Sequence, residues 1–69
     1  MVIKFSLENE YIELAKLLKA TSVCSSGGMA KIVISEGKVR VDGLIELRRG
    51  RKIRRGHKVE FEGSTIEAE

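Results

Sequence analysis

Residues 26–43, SGGMAKIVISEGKVRVDG, carry the densest set of structural signals in the chain. Apolar residues at helical spacing predict a helix over residues 29–36. Ser25 and Ser26 precede it as candidate N-caps, and Gly37 follows at the position where a left-handed C-cap is expected. Because apolar residues cover most of its circumference, we expect this helix to be buried on most sides.

After Gly37 the apolar spacing becomes that of a strand, in which alternate residues face the same side. Val39 and Val41 then face inward, and the residue between them faces solvent. Asp42-Gly43 predicts a two-residue hairpin turn, with residues 44–47 as the return strand. The stretch therefore predicts a helix that leads directly into a hairpin.

The flanking segments extend this pattern in both directions. Residues 2–7 and 58–62 alternate between apolar and polar side chains, so each predicts a half-buried strand. A helical period spans residues 10–20, and residues 64–68 are a candidate last strand that closes against the first. The sequence predicts an α+β domain with two short helices packed on a small antiparallel sheet of about four to five short strands. The predicted shared core consists of Ala30, Val33, Ile34, Val39, Val41, Ile45, Val59 and Phe61.

Length and composition restrict the class of protein. The 69 residues are expected to form one domain, residues 1–69, with a small core. One Cys and one His can form neither a disulfide nor a four-ligand zinc site, so no metal or other cofactor is expected. No apolar run is long enough to span a membrane, and the first residues lack the pattern of a signal peptide. These features predict a cytoplasmic protein with no membrane partner and no small-molecule substrate.

The candidate catalytic residues do not form a recognisable set. Cys24 would need His57 nearby, an orienting group and an oxyanion pocket to act as a nucleophile. Cys24 is more simply interpreted as a buried apolar residue, and His57 as a solvated turn residue. The carboxylates show no spacing typical of an acid–base pair. The sequence therefore predicts that the protein is not an enzyme and has no catalytic residues.

The distribution of positive charge is the strongest functional signal. The net charge is only +3, from 13 basic and 10 acidic residues, but residues 48–58 hold seven cations and no acid. Lys38 and Arg40 add two more on the outer face of the predicted hairpin. Such a concentration of like charge opposes folding, and a polyanion relieves the repulsion efficiently. Nucleic acid is the favoured ligand; the alternatives are an acidic protein partner, an anionic membrane or a stretch that only promotes solubility.

The aromatic residues indicate the kind of nucleic acid. Phe5, Tyr11 and Phe61 occupy inward positions of the predicted elements, so base stacking on aromatic side chains is not expected. Arg and Lys without aromatic neighbours favour phosphate contacts to a structured or double-stranded target. Ser26 and Gly27-Gly28, at the start of the second helix, could also meet phosphate, or the glycines could only pack in a tight turn. Duplex DNA stays open as an alternative to RNA.

Residues 26–43, together with Leu14 and Leu18, resemble the signature of the ribosomal-protein-S-four-like RNA-binding domain, which is the alpha-L motif. Residues 53–59, with a central glycine between two apolar ends, are similar to the segment that closes this motif. The resemblance covers about residues 12–61 and is strongest to small bacterial stand-alone proteins of this type.

The resemblance implies a non-catalytic protein that binds structured RNA, either rRNA or tRNA, in ribosome assembly or translation. The ribosomal particle is a candidate partner. Two positions depart from the family pattern, since Gly27 stands where Arg is usual and His57 where an acid is usual. Lys31, which follows the alanine of the motif, is expected to take over the basic contact.

We expect two banks of RNA contacts. Lys31, Lys38 and Arg40 form one bank, and residues 48–55 form the other. The complete set of predicted RNA-binding residues is Ser26, Lys31, Lys38, Arg40, Arg48, Arg49, Arg51, Lys52, Arg54, Arg55 and Lys58.

Overall fold

The computed structural model describes all residues from Met1 to Glu69 and confirms the α+β class. Two helices pack with a five-stranded sheet, and two further short strands form a second sheet. The elements in chain order are β1 (Val2–Phe5), β2 (Ile12–Glu13), α1 (Leu14–Ala20), α2 (Gly27–Ser35), β3 (Arg40–Val41), β4 (Leu44–Ile45), β5 (Lys52–Ile53), β6 (Lys58–Phe61) and β7 (Ser64–Ala68).

The large sheet has the strand order β1-β7-β6-β3-β4, and the small sheet pairs β2 with β5. The last strand closes on the first, as predicted, but the two run parallel, with Ile3 opposite Ile66. The sheet is therefore mixed rather than wholly antiparallel. Parallel neighbours need a long crossover connection, and nearly the whole chain lies between β1 and β7, so this arrangement is available to them.

Helix α1 begins later than predicted. The helical period covers residues 10–20, but Ile12–Glu13 pairs with Lys52–Ile53 as a strand, and the helix starts only at Leu14. A long-range strand pair has thus overridden the local periodicity, as tertiary contacts often do. Three leucines of this short helix, Leu14, Leu17 and Leu18, are fully buried.

Helix α2 confirms the predicted end signals. The Ser26 hydroxyl caps the helix by accepting a 3.1 Å hydrogen bond from the Met29 N–H, and Gly37 adopts a φ of +75° after the last turn. The expectation that the helix is buried on most sides is wrong, since Ile32 is 58% exposed. No element covers that side of the helix. Its buried residues are Ala30, Val33 and Ile34.

The predicted hairpin is present, although its return strand is shorter than expected. Asp42 has a φ of +51° and Gly43 a φ of +84°, a pair of positive values that matches the twist of the flanking strands. The prediction that Ile45 belongs to the core is wrong, since this residue is 54% exposed. Ile45 stands opposite Arg40 in the β3–β4 register, and opposed residues share a face, so the pleat that exposes Arg40 also exposes Ile45.

A single cluster of 15 buried apolar residues joins the helices to the sheets. It includes every predicted core residue except Ile45. A core of this size leaves a domain little stability in reserve, so one unpaired charge inside it should be enough to unfold the protein.

Val41→Asp tests the phase of the hairpin strands. Val41 is 4% exposed, and an aspartate there would be a buried charge without a partner, so we expect an unfolded protein by circular dichroism at room temperature. Ile45→Asp is the matched control, because it adds the same charge to the outer face of the neighbouring strand. The control should stay folded; equal destabilisation of the two variants would contradict the assigned phase.

Candidate nucleic-acid interface

The basic stretch of residues 48–58 contains two tight turns, and a backbone hydrogen bond closes each of them. The Arg51 N–H donates to the Arg48 carbonyl at 3.2 Å, and the His57 N–H donates to the Arg54 carbonyl at 3.1 Å. The imidazole Nδ1 of His57 accepts a further 2.9 Å hydrogen bond from the Arg54 N–H. His57 is therefore a partly buried structural residue of the second turn, not the solvated residue that the sequence suggested.

The loop of residues 46–51 is attached to the start of α1. The first amides of a helix have no acceptor within it. Here the N–H groups of Leu14 and Ala15 donate to the carbonyls of Arg51 and Arg49, at 2.9 Å and 3.1 Å. The arginines of the loop thus extend from a backbone that the helix holds in place.

Glu46 is the one charged residue that is buried, with 8% of its surface exposed. Its carboxylate accepts from Nε and Nη2 of Arg48 at 3.0 Å and 3.2 Å, from the Arg48 N–H at 3.1 Å and from Nη1 of Arg51 at 2.9 Å. The hydrogen bond from the Arg48 side chain lowers the pKa of Glu46 most. Together, the hydrogen bonds outweigh the desolvation of the carboxylate and lower this pKa to about 2. The carboxylate is therefore ionised at neutral pH and offsets part of the positive charge of the loop.

Three arginines of the predicted RNA-binding set also hold the fold. Arg48 and Arg51 pair with Glu46, and Arg55 donates from Nη2 to the Leu7 carbonyl at 2.8 Å. The Arg48 side chain stays 72% exposed, whereas that of Arg51 is 31% exposed. The basic stretch is thus not uniformly available to a ligand, and a role of these three residues in RNA binding stays a prediction.

Two shallow depressions meet at Gly50. The loop groove is lined by Arg48, Gly50, Arg51, Lys52, Arg54 and His57. The helix groove is lined by Glu13, Ala15, Lys16, Gly27, Lys31, Arg49 and Gly50. The fold therefore brings a cation of α2, Lys31, to the same depression as Arg49 of the loop.

Four cations of the two grooves have no ion-pair partner. They are Lys31, Arg49, Lys52 and Arg54, which we call the free cations. All four side chains are exposed. Their donor groups are not committed to a carboxylate of the protein and can meet an external anion.

The other predicted basic residues lie on the outer face of the large sheet, where charges alternate. Arg40 stands opposite Glu60, and Lys58 stands opposite Glu67. Lys38 forms a 3.2 Å ion pair with the acid two residues before it and shares a depression with Arg40 and Glu60. Lys31 lines the helix groove and so borders a different depression from Lys38 and Arg40, and the expected bank of these three residues stays a prediction.

The start of α2 contributes to the helix groove through Gly27. The Ser26 hydroxyl, predicted to meet RNA, is already engaged as the helix cap. The structure gives no support to tight packing as the reason for the glycine pair. A Cβ on Gly27 would meet no atom within 4 Å, and one on Gly28 would find its nearest atom at 3.8 Å.

Tyr11 is exposed, contrary to the prediction that all three aromatic residues face inward. It precedes β2 and so lies outside helix α1, and 40% of its surface is exposed. Nζ of Lys52 lies 5.0 Å from the ring centroid, and the guanidinium carbon of Arg54 lies 5.6 Å from it. Both distances are within the range of cation–π interactions. One aromatic ring therefore lies among the free cations.

Cys24 is a core residue, as its simpler interpretation predicted. It is 1% exposed, and burial, with a smaller contribution from the charge of Glu62, raises the pKa of its thiol. A neutral thiol is a poor nucleophile. The chain holds no group of three or more His, Cys, Asp or Glu residues placed to bind a metal ion. None of its helices has the length and apolar character needed to cross a membrane.

Two residues of this surface, Glu46 and Tyr11, were not among the functional residues predicted from the sequence. A signal for Glu46 exists, since it is the only acid between the hairpin turn and β6 and it closely precedes two arginines. No comparable signal marks Tyr11, because the cations beside its ring come from β5 and the turn after it, far along the chain.

Glu46→Gln removes the charge of the buried carboxyl group and keeps its shape. We expect the free energy of unfolding at neutral pH to fall by about 2 kcal/mol, because two arginines lose a charged acceptor. Folding lowers this pKa, so the stabilisation is complete above the ordinary pKa of 4.5 and is lost as the pH falls towards about 2.

The melting temperatures of the wild type and of Glu46→Gln, measured from neutral pH down to about pH 2, should therefore differ at neutral pH and converge in acid. Glu60→Gln is the control, since it neutralises an exposed carboxylate that forms no ion pair and should leave the profile nearly unchanged. A Glu46→Gln protein with the wild-type melting temperature at neutral pH would refute the role of this contact.

The chain is similar to a known family and to named bacterial proteins. A family model described as the S4 domain matches residues 5–69. The chain is 44% identical over 64 residues to YbcJ of Escherichia coli K12, whose name gives RNA binding as a suggested role, and the match covers 91% of each chain. It is 47% identical over 58 residues to RlbA of Bacillus subtilis 168, named a probable ribosome maturation protein, with 84% of this chain and 82% of RlbA covered.

A solved structure has the same fold. The solution structure of YbcJ from E. coli, described as revealing an alpha-L motif involved in RNA binding, matches with a TM-score of 0.72 and 42% identity. The match covers 94% of this chain and 84% of that one. The family model, the relatives and the shared fold together show that the chain belongs to the S4 family of RNA-binding domains, whose fold is the alpha-L motif.

Proposed function

We propose that this protein is a non-catalytic RNA-binding protein that recognises structured RNA through its phosphates. The observation that carries the proposal is the convergence of the four free cations, Lys31, Arg49, Lys52 and Arg54, on two adjoining grooves. Membership of the S4 family supports RNA as the polyanion.

The basic loop is suited to phosphate because its backbone is ordered before a ligand arrives. The α1 amides bind its carbonyls, and Glu46 holds two of its arginines. Fewer groups then need to be ordered on binding, so less entropy is lost. The free cations keep their donors for charge-assisted hydrogen bonds, which are among the stronger polar contacts.

A folded RNA is favoured over an extended single strand because cations dominate the surface. Proteins that bind single strands stack successive bases on several aromatic rings. Of the three aromatic residues, only Tyr11 is exposed. Cations that meet the phosphates of a helical RNA recognise its shape rather than its sequence.

Ribosomal RNA is our preferred target, with tRNA as the second candidate. The name of RlbA, a probable ribosome maturation protein, supports a role at a maturing ribosomal particle in the cytoplasm. The relative covers most of this chain, so the likeness includes both grooves rather than one element.

Binding to an RNA hairpin should depend steeply on salt. If about four to six phosphates are neutralised, the logarithm of the association constant falls with the logarithm of salt concentration at a slope of roughly −3 to −5. Fluorescence anisotropy of a labelled hairpin, titrated at several salt concentrations, measures this slope. An affinity that salt leaves unchanged would contradict a phosphate-based interface.

Arg49→Ala/Lys52→Ala tests the grooves with little effect on the fold, because neither side chain forms an ion pair. We expect the dissociation constant to rise about tenfold and the magnitude of the salt slope to fall by about 1.4 to 1.8, because each phosphate contact accounts for about 0.7 to 0.9 of it. Lys4→Ala/Lys19→Ala is the matched control: it removes the same charge from two exposed lysines that line neither groove. Equal losses in the two variants would show that net charge alone matters, contrary to the proposed site.

Two other ligands, an acidic protein and duplex DNA, can each be distinguished from RNA by a separate experiment. An acidic protein partner would stay bound in a lysate pull-down after nuclease treatment, whereas an RNA-mediated association would be lost. If duplex DNA were the ligand, a DNA duplex would compete for the protein as well as an RNA helix of the same length does. We expect the RNA to compete better, since the wide minor groove of an A-form helix presents 2′-hydroxyl groups that DNA lacks.

A further inference from the structure

The surface around Tyr11 differs from the rest of the interface. The ring is 40% exposed and lies next to two of the free cations, with Lys52 at 5.0 Å and Arg54 at 5.6 Å from its centroid. It also borders a further depression, which we call the Tyr11 depression. The lining residues are Asn9, Tyr11, Ile12, Glu13 and Lys16. This depression adjoins the helix groove, with which it shares Glu13 and Lys16, and shares no lining residue with the loop groove.

Phosphate binding alone does not account for this ring. A tyrosine carries no positive charge, and Tyr11 is too exposed to serve mainly as a core residue. Every nucleobase has a π-face that can stack on an aromatic ring, and nearby cations strengthen the contact while they hold the backbone phosphates. An exposed ring among phosphate-binding cations is therefore suited to an unpaired base.

We propose that the Tyr11 depression accepts one unpaired nucleobase of the bound RNA, an inference that rests on the proposed function. The base stacks on the ring of Tyr11 in place of a cation that lies over it, and Lys52 and Arg54 turn towards phosphates of the same segment. The exposed amide of Asn9 offers both a donor and an acceptor to the edge of the base. The carboxylate of Glu13 accepts from an exocyclic amino group. The preferred target is then an RNA helix interrupted by a bulged or looped-out nucleotide, rather than a continuous duplex.

Two labelled RNA hairpins that differ only in a single bulged 2-aminopurine test this proposal. We expect the bulged hairpin to bind about tenfold more tightly than the fully paired one, as stacking of one base predicts. The emission of 2-aminopurine should fall on binding, because stacking quenches it. The ring protons of Tyr11 should shift upfield in the NMR spectrum, and their assignment is direct because the chain has one tyrosine.

Two substitutions at this position separate stacking from other roles of the ring. Tyr11→Phe keeps the π-face and should keep both the tenfold preference and the quenching. Tyr11→Leu removes the π-face and should abolish both, while the affinity for the paired hairpin and its salt slope stay unchanged. Leu47→Ala is the control for loss of an exposed apolar side chain elsewhere, and it should behave as the wild type. Circular dichroism verifies that each variant is folded.

The outcomes distinguish this inference from the proposed function. Equal affinity of the wild type for the two hairpins, or an unchanged preference in Tyr11→Leu, overturns the base site. If Tyr11→Leu weakens both hairpins equally, the ring only positions Lys52 and Arg54, and the base site is likewise refuted. If neither hairpin binds even at low salt, the proposed function itself fails.

Discussion

The buried carboxylate of Glu46 is the contact on which the candidate interface depends. Burial of a single ionised carboxyl group is strongly unfavourable unless donors surround it. Arg48 and Arg51 supply those donors, and they are part of the positively charged stretch whose self-repulsion the carboxylate reduces. The same loop gives its carbonyls to the first amides of α1. One acid therefore makes a dense group of cations compatible with a fixed backbone.

The cations of the basic stretch consequently have different roles. The side chains of Arg48, Arg51 and Arg55 form ion pairs or hydrogen bonds within the protein, whereas those of Lys52 and Arg54 form neither and lie over the ring of Tyr11. This division is understandable in a domain of 69 residues, whose core is too small to hold every loop by apolar packing. Polar side chains take over part of that task. The charge that remains for a ligand is smaller than the sequence suggests, but it lies on a better ordered surface.

The small β2–β5 sheet links the fold to the interface. Its formation takes Ile12–Glu13 out of the helical period, so α1 starts late and Tyr11 lies outside it. The partner strand β5 carries Lys52, which therefore comes close to the exposed ring. A single two-residue strand pair thus explains the shortened helix, the exposed tyrosine and the cation beside it.

Local features of the chain were predictable from the sequence alone, and features that depend on distant contacts were not. The Ser26 cap, the left-handed Gly37, the Asp42-Gly43 turn and the α+β class follow from backbone preferences and side-chain periods within a few residues. The exposure of Ile45, the position of Tyr11 and the pairing of Glu46 do not. Each of these depends on which segment lies opposite or above the residue, and one sequence window holds no information about that neighbour. For the same reason the sequence located the positive charge, whereas only the packing of the loop against α1 and Glu46 determined which cations remain free.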